Sequence, residues 1–459
     1  MEEQKNTIEV EWRDLLAANP EVESLTAMFA DINGVLRGKS VPVSKWQTLC
    51  RQGVYFPASV FGTDATGESV AETGLVWESG DADFACFPVA GSGHIIPGSD
   101  GREAGLLLQM QQQDGTPHPL DPRSVLGRVT EKLAENGLHA VVAAELEFYL
   151  ICSELDAAGM GRRAIVPAIG MEQPTNQIYG VDALDEFRPL ISAIQQASLD
   201  SGMAADTAIA EYGRSQFEIN LGHRADPLRA ADEAALLRRL VRRIARQHGH
   251  DASFMGKPFA DDTGSGLHLH ISLWDAAGKN IMQESEGEKP ESAAALQHAV
   301  AGMACHLGES MALFAPNANA WRRLQPGHYA PVDKSWGHNN RTVSFRIPTG
   351  PASARRLEHR CASADANVYL VSAAVLAAMA DGIERQLVPP PITTGNAYAA
   401  PLRDGLPKTW AEALDSFAAS RFLRDWLGDS FVSTYHATKS YERNCFAAAV
   451  SPLEWQWYR

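Results

Sequence analysis

Apolar and polar positions change their spacing several times along the chain. Glu9–Ala18 has helical spacing and is stopped by Asn19-Pro20. Ser24–Ala30 is an apolar run followed by Asp31-Ile32-Asn33-Gly34. An Asn-Gly pair between two such runs predicts a hairpin, with Val35–Val43 as the return strand. Turn-rich sequence continues through 62–67 and 97–101. A composition shift at Asp114–Pro122 then marks a boundary between an N-terminal unit, residues 1–118, and a larger one, residues 119–459. Beyond it, helical periodicity predicts helices over Arg123–Asn136, Asp182–Ser201, Ala230–His248, Glu291–Phe314 and Asp365–Arg385. Val388-Pro389-Pro390-Pro391 is expected to be a rigid surface loop. Strands between long helices make an α/β or α+β layout.

Five short segments alternate strictly, so residues i and i+2 share a face. Ala144–Leu150 puts Glu145, Glu147 and Tyr149 on one face. Gln216–Leu221 does the same for Gln216, Glu218 and Asn220. Leu267–Leu273 presents His268, His270 and Ser272; Thr342–Ile347 presents Thr342, Ser344 and Arg346; Leu357–Arg360 presents Glu358 and Arg360. Solvated strand faces usually carry Lys, Thr and Ser. These carry Glu, His and Arg and no Lys. Carboxylates set opposite carboxylates repel unless cations bridge them. Glu145, Glu147, Glu211, Glu218 and Glu358 with one or two imidazoles therefore suit Mg²⁺ or Mn²⁺ better than zinc.

Composition narrows the partners. With 45% apolar and 21% charged residues the chain can bury a large core, which excludes disorder over most of its length. The formal charge of −16 argues against nucleic acid or an anionic membrane as the main partner and slightly favours a cationic ligand. The apolar run Val368–Ala380 is too short to span a bilayer. Met1-Glu2-Glu3-Gln4-Lys5 lacks the apolar core of a secretory signal. The six cysteines form no CxxC pair, so reduced thiols in a cytoplasmic protein are expected. Gly34–Ser40 imitates a phosphate-binding loop but is one residue short, and a strand with Pro42 follows it instead of a helix.

Arginines supply the second half of the chemistry. Arg322, Arg323, Arg341, Arg346, Arg355, Arg356 and Arg360 crowd one stretch. Arg355 and Arg356 also fit a surface or a subunit interface. Metal-holding carboxylates beside guanidinium forks suit phosphoryl transfer.

Taken together, several segments resemble the glutamine synthetase superfamily. They are Glu145-Leu-Glu147; Glu211-Tyr-Gly-Arg-Ser-Gln-Phe-Glu218; Gly264-Ser-Gly-Leu-His268-Leu-His270-Ile-Ser272; Arg323-Leu-Gln-Pro-Gly327; Asn340-Arg341 with Arg346-Ile-Pro348; and Glu358-His-Arg360. Asp31–Pro42 also matches. The resemblance implies an α+β fold: a small β-grasp-like N-terminal domain and a large catalytic domain on a curved antiparallel sheet with long helices. It implies a homo-oligomer, a dodecamer of two hexameric rings with each site between neighbouring subunits. One metal would sit on Glu147, Glu211 and Glu218 and a second on Glu145, His268 and Glu358, two or three Mg²⁺ or Mn²⁺ ions per site in all. Gly264, Arg323 and Arg360 would hold glutamate, Arg341 and Arg346 would contact phosphate or the γ-glutamyl group, and Ser272 would lie near ATP. Arg341 and Arg360 would be catalytic. ATP would phosphorylate the γ-carboxylate, and an amine would attack the γ-glutamyl phosphate.

Two departures from the family pattern concern that amine. Where glutamine synthetases read Tyr-Glu-Ala-Pro after Pro-Gly, this chain has His328-Tyr329-Ala330-Pro331, so Tyr329 replaces the Glu. The Phe-Asp-Gly-Ser-Ser loop aligns loosely with Phe56-Pro57-Ala58-Ser59-Val60, without its Asp; Asp64 is a nearby substitute. With Ser335–Val343 these features look like the γ-glutamylputrescine/γ-glutamylpolyamine synthetase branch. A pocket of Tyr329, Trp336, Phe56 and Asp64, with Phe61, would hold a putrescine or polyamine cation by methylene packing and cation–π contact. The alternatives are a glutamine synthetase using ammonium, a ligase for ethanolamine or another monoamine, and a non-catalytic relative. The last would have decayed metal carboxylates, whereas all six matched ligands are present.

Overall fold

The computed structural model describes residues 2–459 except 79, 177, 332, 400 and 402, with side chains from residue 6 onward. Helix α1 (Glu2–Ala18) starts earlier than its periodicity predicts and leads into a six-stranded sheet. Its strands are β1 (Ser24–Ala30), β2 (Leu36–Pro42), β3 (Val54–Pro57), β4 (Asp83–Pro88), β5 (His94–Ile95) and β6 (Glu103–Met110), with helix α2 (Trp46–Gln52) after β2. The path runs β2-β1-β6-β4-β3, with β1 and β6 parallel and β5 on β6. The β1–β2 hairpin forms at the Asn-Gly pair. Gly34 takes φ +76°, and the Asp31 carboxylate accepts from the N–H groups of Asn33 and Val35. Residues 38–40 lie in β2, so the phosphate-loop imitation is a strand.

Helix α3 (Pro122–Glu135) follows, with Asp121 capping it and Pro122 in its first turn. The second sheet is built on β7 (His139–Cys152), flanked by a small hairpin of β8 (Ile165–Val166) and β9 (Met171–Glu172). Its other strands are β10 (Ala205–Ala210), β11 (Gln216–Leu221), β12 (His250–Ser253), β13 (Gly266–Trp274), β14 (Trp336–His338), β15 (Phe345–Ile347) and β16 (Leu357–Ser363). The order is β10-β11-β7-β13-β16-β15-β14, with β12 also on β7. In this sheet, among the described residues, the β14–β15 pair alone is parallel. Register shifts in β10–β11 and β13–β16 bend the sheet. β15 begins at Phe345, later than the alternation predicts, because residues 341–344 turn.

Helices cover the back of this sheet. The predicted Asp182–Ser201 helix is two, α4 (Val181–Glu186) and α5 (Arg188–Asp200). Pro189 has no N–H to bond back to the preceding turn, and the chain breaks at Phe187, with the proline in the first turn of α5. α6 (Pro227–Gln247) packs on β7 and β12. α7 (Ala294–Phe314), α8 (Ala318–Arg323) and α9 (Val368–Glu384) come next; then α10 (Trp410–Ala419), α11 (Arg421–Leu427), α12 (Asp429–Ala448) and α13 (Pro452–Tyr458). α7 and α9 touch backbone to backbone: a Cβ on Gly302 would lie 1.9 Å from the Ala378 carbonyl oxygen. No helix among the described residues is long and apolar enough to cross a membrane.

The small sheet is tied to the helices by buried polar contacts. Asn367, the N-cap of α9, donates to the Asp31 carbonyl at 2.9 Å. Lys439 of α12 donates to Asn33 and to Glu442, and Glu442 accepts from the Ala65 N–H at 2.9 Å.

Candidate active site

Strand register assembles the site. Glu218 of β11 stands opposite Glu147 of β7, and Asn220 opposite Glu145. On the other side of β7, His268 of β13 stands opposite Glu145. His270 in turn faces Glu358 of β16, and Arg346 of β15 faces the same Glu358. Each pair points to one face because side chains on a strand alternate. Two like charges directly opposed across a ladder are destabilising, so the Glu147–Glu218 pair requires compensation.

Burial makes that requirement severe. Burial and the charges of Glu145, Glu147, Glu211 and Glu358 push the Glu218 carboxyl well above the usual carboxylate range. Burial, then Glu147, raises Glu211 to about 7. Glu147 is raised by burial, against the pull of Arg323. Glu145 and Glu358 go the other way. Burial opposes ionisation in both, but His270 and His268 hold Glu145 well below its ordinary value, and Arg360 with His270 lowers Glu358 to about 2. His268 is pushed down by burial and Arg360, towards the neutral form that binds metals.

Three groups of ligand atoms each lie within 4.8 Å of one another: Glu147, Glu211 and Glu218; Glu145, Glu218 and His268; Glu145, His270 and Glu358. The first has the membership that the resemblance implies for one metal. For the other implied set, His268 Nδ1 is 3.3 Å from Glu145 and 4.0 Å from Glu358. His270 Nε2 lies 2.7 Å from Glu145, and its Nδ1 accepts from Arg356 at 3.1 Å. The donors are mostly carboxylate oxygens with imidazole, so the residues fit a hard divalent cation.

Above these groups opens a cavity of about 390 Å³. Glu147, Glu211, Glu218, Gly264, His268, Arg323, Tyr329, Arg341 and Arg360 all line it. Arg323 is buried, with its guanidinium donating to the carbonyls of Arg360 and Cys361 at 3.2 Å each. Its stem needs Gly264, where a Cβ would lie 2.7 Å from Arg323 Cγ and 2.4 Å from the Gly256 carbonyl oxygen. Arg346 and Arg360 both bond Glu358, the former at 2.5 Å.

Residues 119–458 match the family model of the glutamine synthetase catalytic domain. The chain belongs to the glutamine synthetase family. It is 40% identical to the γ-glutamylputrescine synthetase PuuA of Escherichia coli, over 95% of this chain and 92% of that one. It is 30% identical to the γ-glutamylethanolamide synthetase GlnA4 of Streptomyces coelicolor over 97% of this chain and 94% of that one. Among solved structures, the GmaS/ADP complex matches with a TM-score of 0.84 and 28% identity, covering 96% of this chain and 98% of that one.

Several residues that the sequence puts forward do not line this cavity. Trp336 does not line the cavity. Its indole is 4% exposed and donates to the Pro390 carbonyl at 2.7 Å, so it packs the loop instead of an amine. Phe56 is buried edge-on against Phe29 with Lys39 over its ring, and Phe61 is fully buried against Phe29 as well. Asp64 spends one oxygen on Thr66, Gly67 and Glu68 of its own turn. Neither Phe56 nor Asp64 reaches the cavity of its own chain. Ser272 is buried beyond His270 on β13 and accepts from the Trp274 indole at 2.9 Å. Arg355 is an internal strut, bidentate to Glu284 at 2.8 and 2.6 Å.

Other residues join the site unforeseen. Ile178, Tyr179, Tyr212, Gln216, Thr263 and His328 line the cavity. Gln216 bonds Thr263 at 2.7 Å and the Gly264 carbonyl at 3.0 Å, and the Tyr149 hydroxyl donates to the Thr263 carbonyl. These hold the glycine loop in place. Gln216 and Tyr149 were visible on the polar strand faces, and Tyr212 inside the Glu211–Glu218 segment. Nothing local marked Ile178 or Tyr179.

Proposed function

We propose that this chain is an ATP-dependent ligase joining the γ-carboxylate of glutamate to an alkyl amine, with putrescine or another polyamine as acceptor. The observation that carries the reading is a cavity with an intact carboxylate–imidazole floor, buried arginines on its wall and Tyr329, not a carboxylate, at its mouth. The 40% identity to a γ-glutamylputrescine synthetase supports the acceptor class.

In this reading Mg²⁺ or Mn²⁺, two or three per site, is held by Glu147, Glu211 and Glu218 and by Glu145, His268 and Glu358, with His270 beside them. Bound there, it neutralises phosphate charge as a Lewis acid. Arg323, Arg360 and the backbone at Gly264 bind and orient glutamate, and Ser272 lies on the nucleotide side. Arg341, exposed at the cavity, stabilises negative charge as the γ-carboxylate takes phosphate from ATP and again as the amine expels it; Arg346 braces Glu358. The division at 118/119, a cytoplasmic location and a dodecamer of two hexameric rings belong to the same reading. Phe56 and Asp64 would then serve a neighbouring copy's cavity.

The test is glutamate-dependent ADP release with Mg-ATP against ammonium, ethanolamine, putrescine, cadaverine, spermidine and spermine. Turnover with a diamine or polyamine and little with ammonium is expected. Strong ammonium turnover would make this a glutamine synthetase with a divergent mouth, and ethanolamine preference a monoamine ligase.

A further inference from the structure

Of the five strongly exposed tyrosines among the described residues, three converge on one cavity. Tyr179, Tyr212 and Tyr329 are 54, 47 and 53% exposed, and all three line the space above the carboxylate floor. Tyrosine at that exposure, repeated three times around one opening, leaves apolar ring area in water that a ligand can cover.

The rings are held there by the backbone. The Tyr179 N–H donates to the Ala210 carbonyl at 2.9 Å, at the end of β10 and next to Glu211-Tyr212. That bond fastens the 178–179 loop beside Tyr212. Tyr179 and Tyr329 both take left-handed backbone, φ +57° and +52°, a conformation bulky L-residues adopt only at a cost. Such costs persist where the surroundings over-determine them, and ligand clamps are a common setting.

Charge at the mouth completes the picture. Every carboxylate of the lining is partly or fully buried, down with the imidazole. The exposed lining is Ile178, Tyr179, Tyr212, His328, Tyr329 and Arg341. Among the described lining residues of one copy, no exposed carboxylate stands at the rim to meet the second ammonium of a diamine whose reacting nitrogen enters towards the floor. The faces of the tyrosine rings are the partners on offer, and cations sit favourably over them.

We infer that Tyr179 and Tyr212, with Tyr329, form an aromatic subsite that binds the distal alkyl-ammonium of the acceptor, so that selectivity for diamines over monoamines is set by ring faces. The inference rests on the ligase reading above. It is tested by steady-state ADP release at saturating glutamate and ATP, with putrescine and with n-butylamine, which has the same carbon chain without the distal charge. The variants are Tyr179→Leu, Tyr212→Leu and Tyr212→Phe. The leucine variants keep apolar bulk and lose the π face. They are expected to raise KM for putrescine relative to butylamine on the order of 3- to 30-fold, while Tyr212→Phe keeps the ratio. A ratio unchanged in both leucine variants overturns the inference. So does a rise in KM for glutamate and both amines together, which marks a purely structural role. An unmodified enzyme active on ammonium and inactive on both amines overturns the ligase reading itself, a separate result.

Discussion

Glu218 is the residue on which the floor of the site depends. It faces Glu147 across the β7–β11 ladder and shares two of the three ligand groups. Glu218→Gln keeps the shape and removes the charge. ADP formation is expected to fall by about 100-fold or more, because the charge that holds the cation is the charge removed. Calorimetric titration with Mn²⁺ should show weakened binding, with the sedimentation of the protein unchanged. Near-normal turnover would sink the metal assignment. Tyr329 tests the other end of the cavity. Tyr329→Glu adds a carboxylate at the mouth and is expected to raise the ratio of ammonium to putrescine turnover by about tenfold, roughly 1.4 kcal/mol of discrimination. An unchanged ratio removes Tyr329 from acceptor choice.

At the scale of elements, the sequence was most legible where local patterns decide the outcome. The period-two faces of β7, β11, β13 and β16 were readable because a half-buried strand must alternate, and their charged faces named the carboxylates. The Asn-Gly hairpin was readable because left-handed backbone is cheap at Gly34. The α4–α5 break was missed, although Pro189 marked it. Trp336, Phe56 and Asp64 were misplaced for this chain's own cavity because aromatic burial and long-range placement carry no local signature. Tyr179 reaches the site only through a backbone bond to Ala210, which no spacing reveals. One corner gives an element-level prediction. Between β6 and α3, His118 stacks on Phe61 and accepts from the Leu120 N–H at 3.3 Å, so its ring must be neutral. Burial, with Arg128, pushes it down to about 4, below its usual 6.5. The neutral form therefore favours the fold: stability from this group is present above about pH 6.5 and lost as pH falls towards 4. The loss is on the order of 2–3 kcal/mol. Melting followed from about pH 7.5 to about pH 5 should show a shallower decline in His118→Gln than in the unmodified chain. Parallel declines would show that His118 does not carry it.

At the scale of the whole molecule, the C-terminal helices carry a run of exposed apolar residues. Trp455, Trp457 and Tyr458 of α13 are 65, 68 and 77% exposed, with Leu453 at 49% and Phe446 of α12 at 59%. Exposed aromatics grouped on one short helix are of the kind that marks association surfaces, and copies of one chain associate in closed symmetric sets. The same assembly would bring Phe56 and Asp64 of one copy towards the cavity of another, which a single chain does not do. Under the oligomer reading the protein should sediment at about 600 kDa, twelve times 49.7 kDa. Trp455→Ser with Trp457→Ser should lower that mass, and ADP release should fall with it if sites are completed between copies. A fully active 49.7 kDa species from the unmodified chain would show that one copy builds the whole site. An assembly that keeps its mass with both tryptophans replaced would move the interface away from α13.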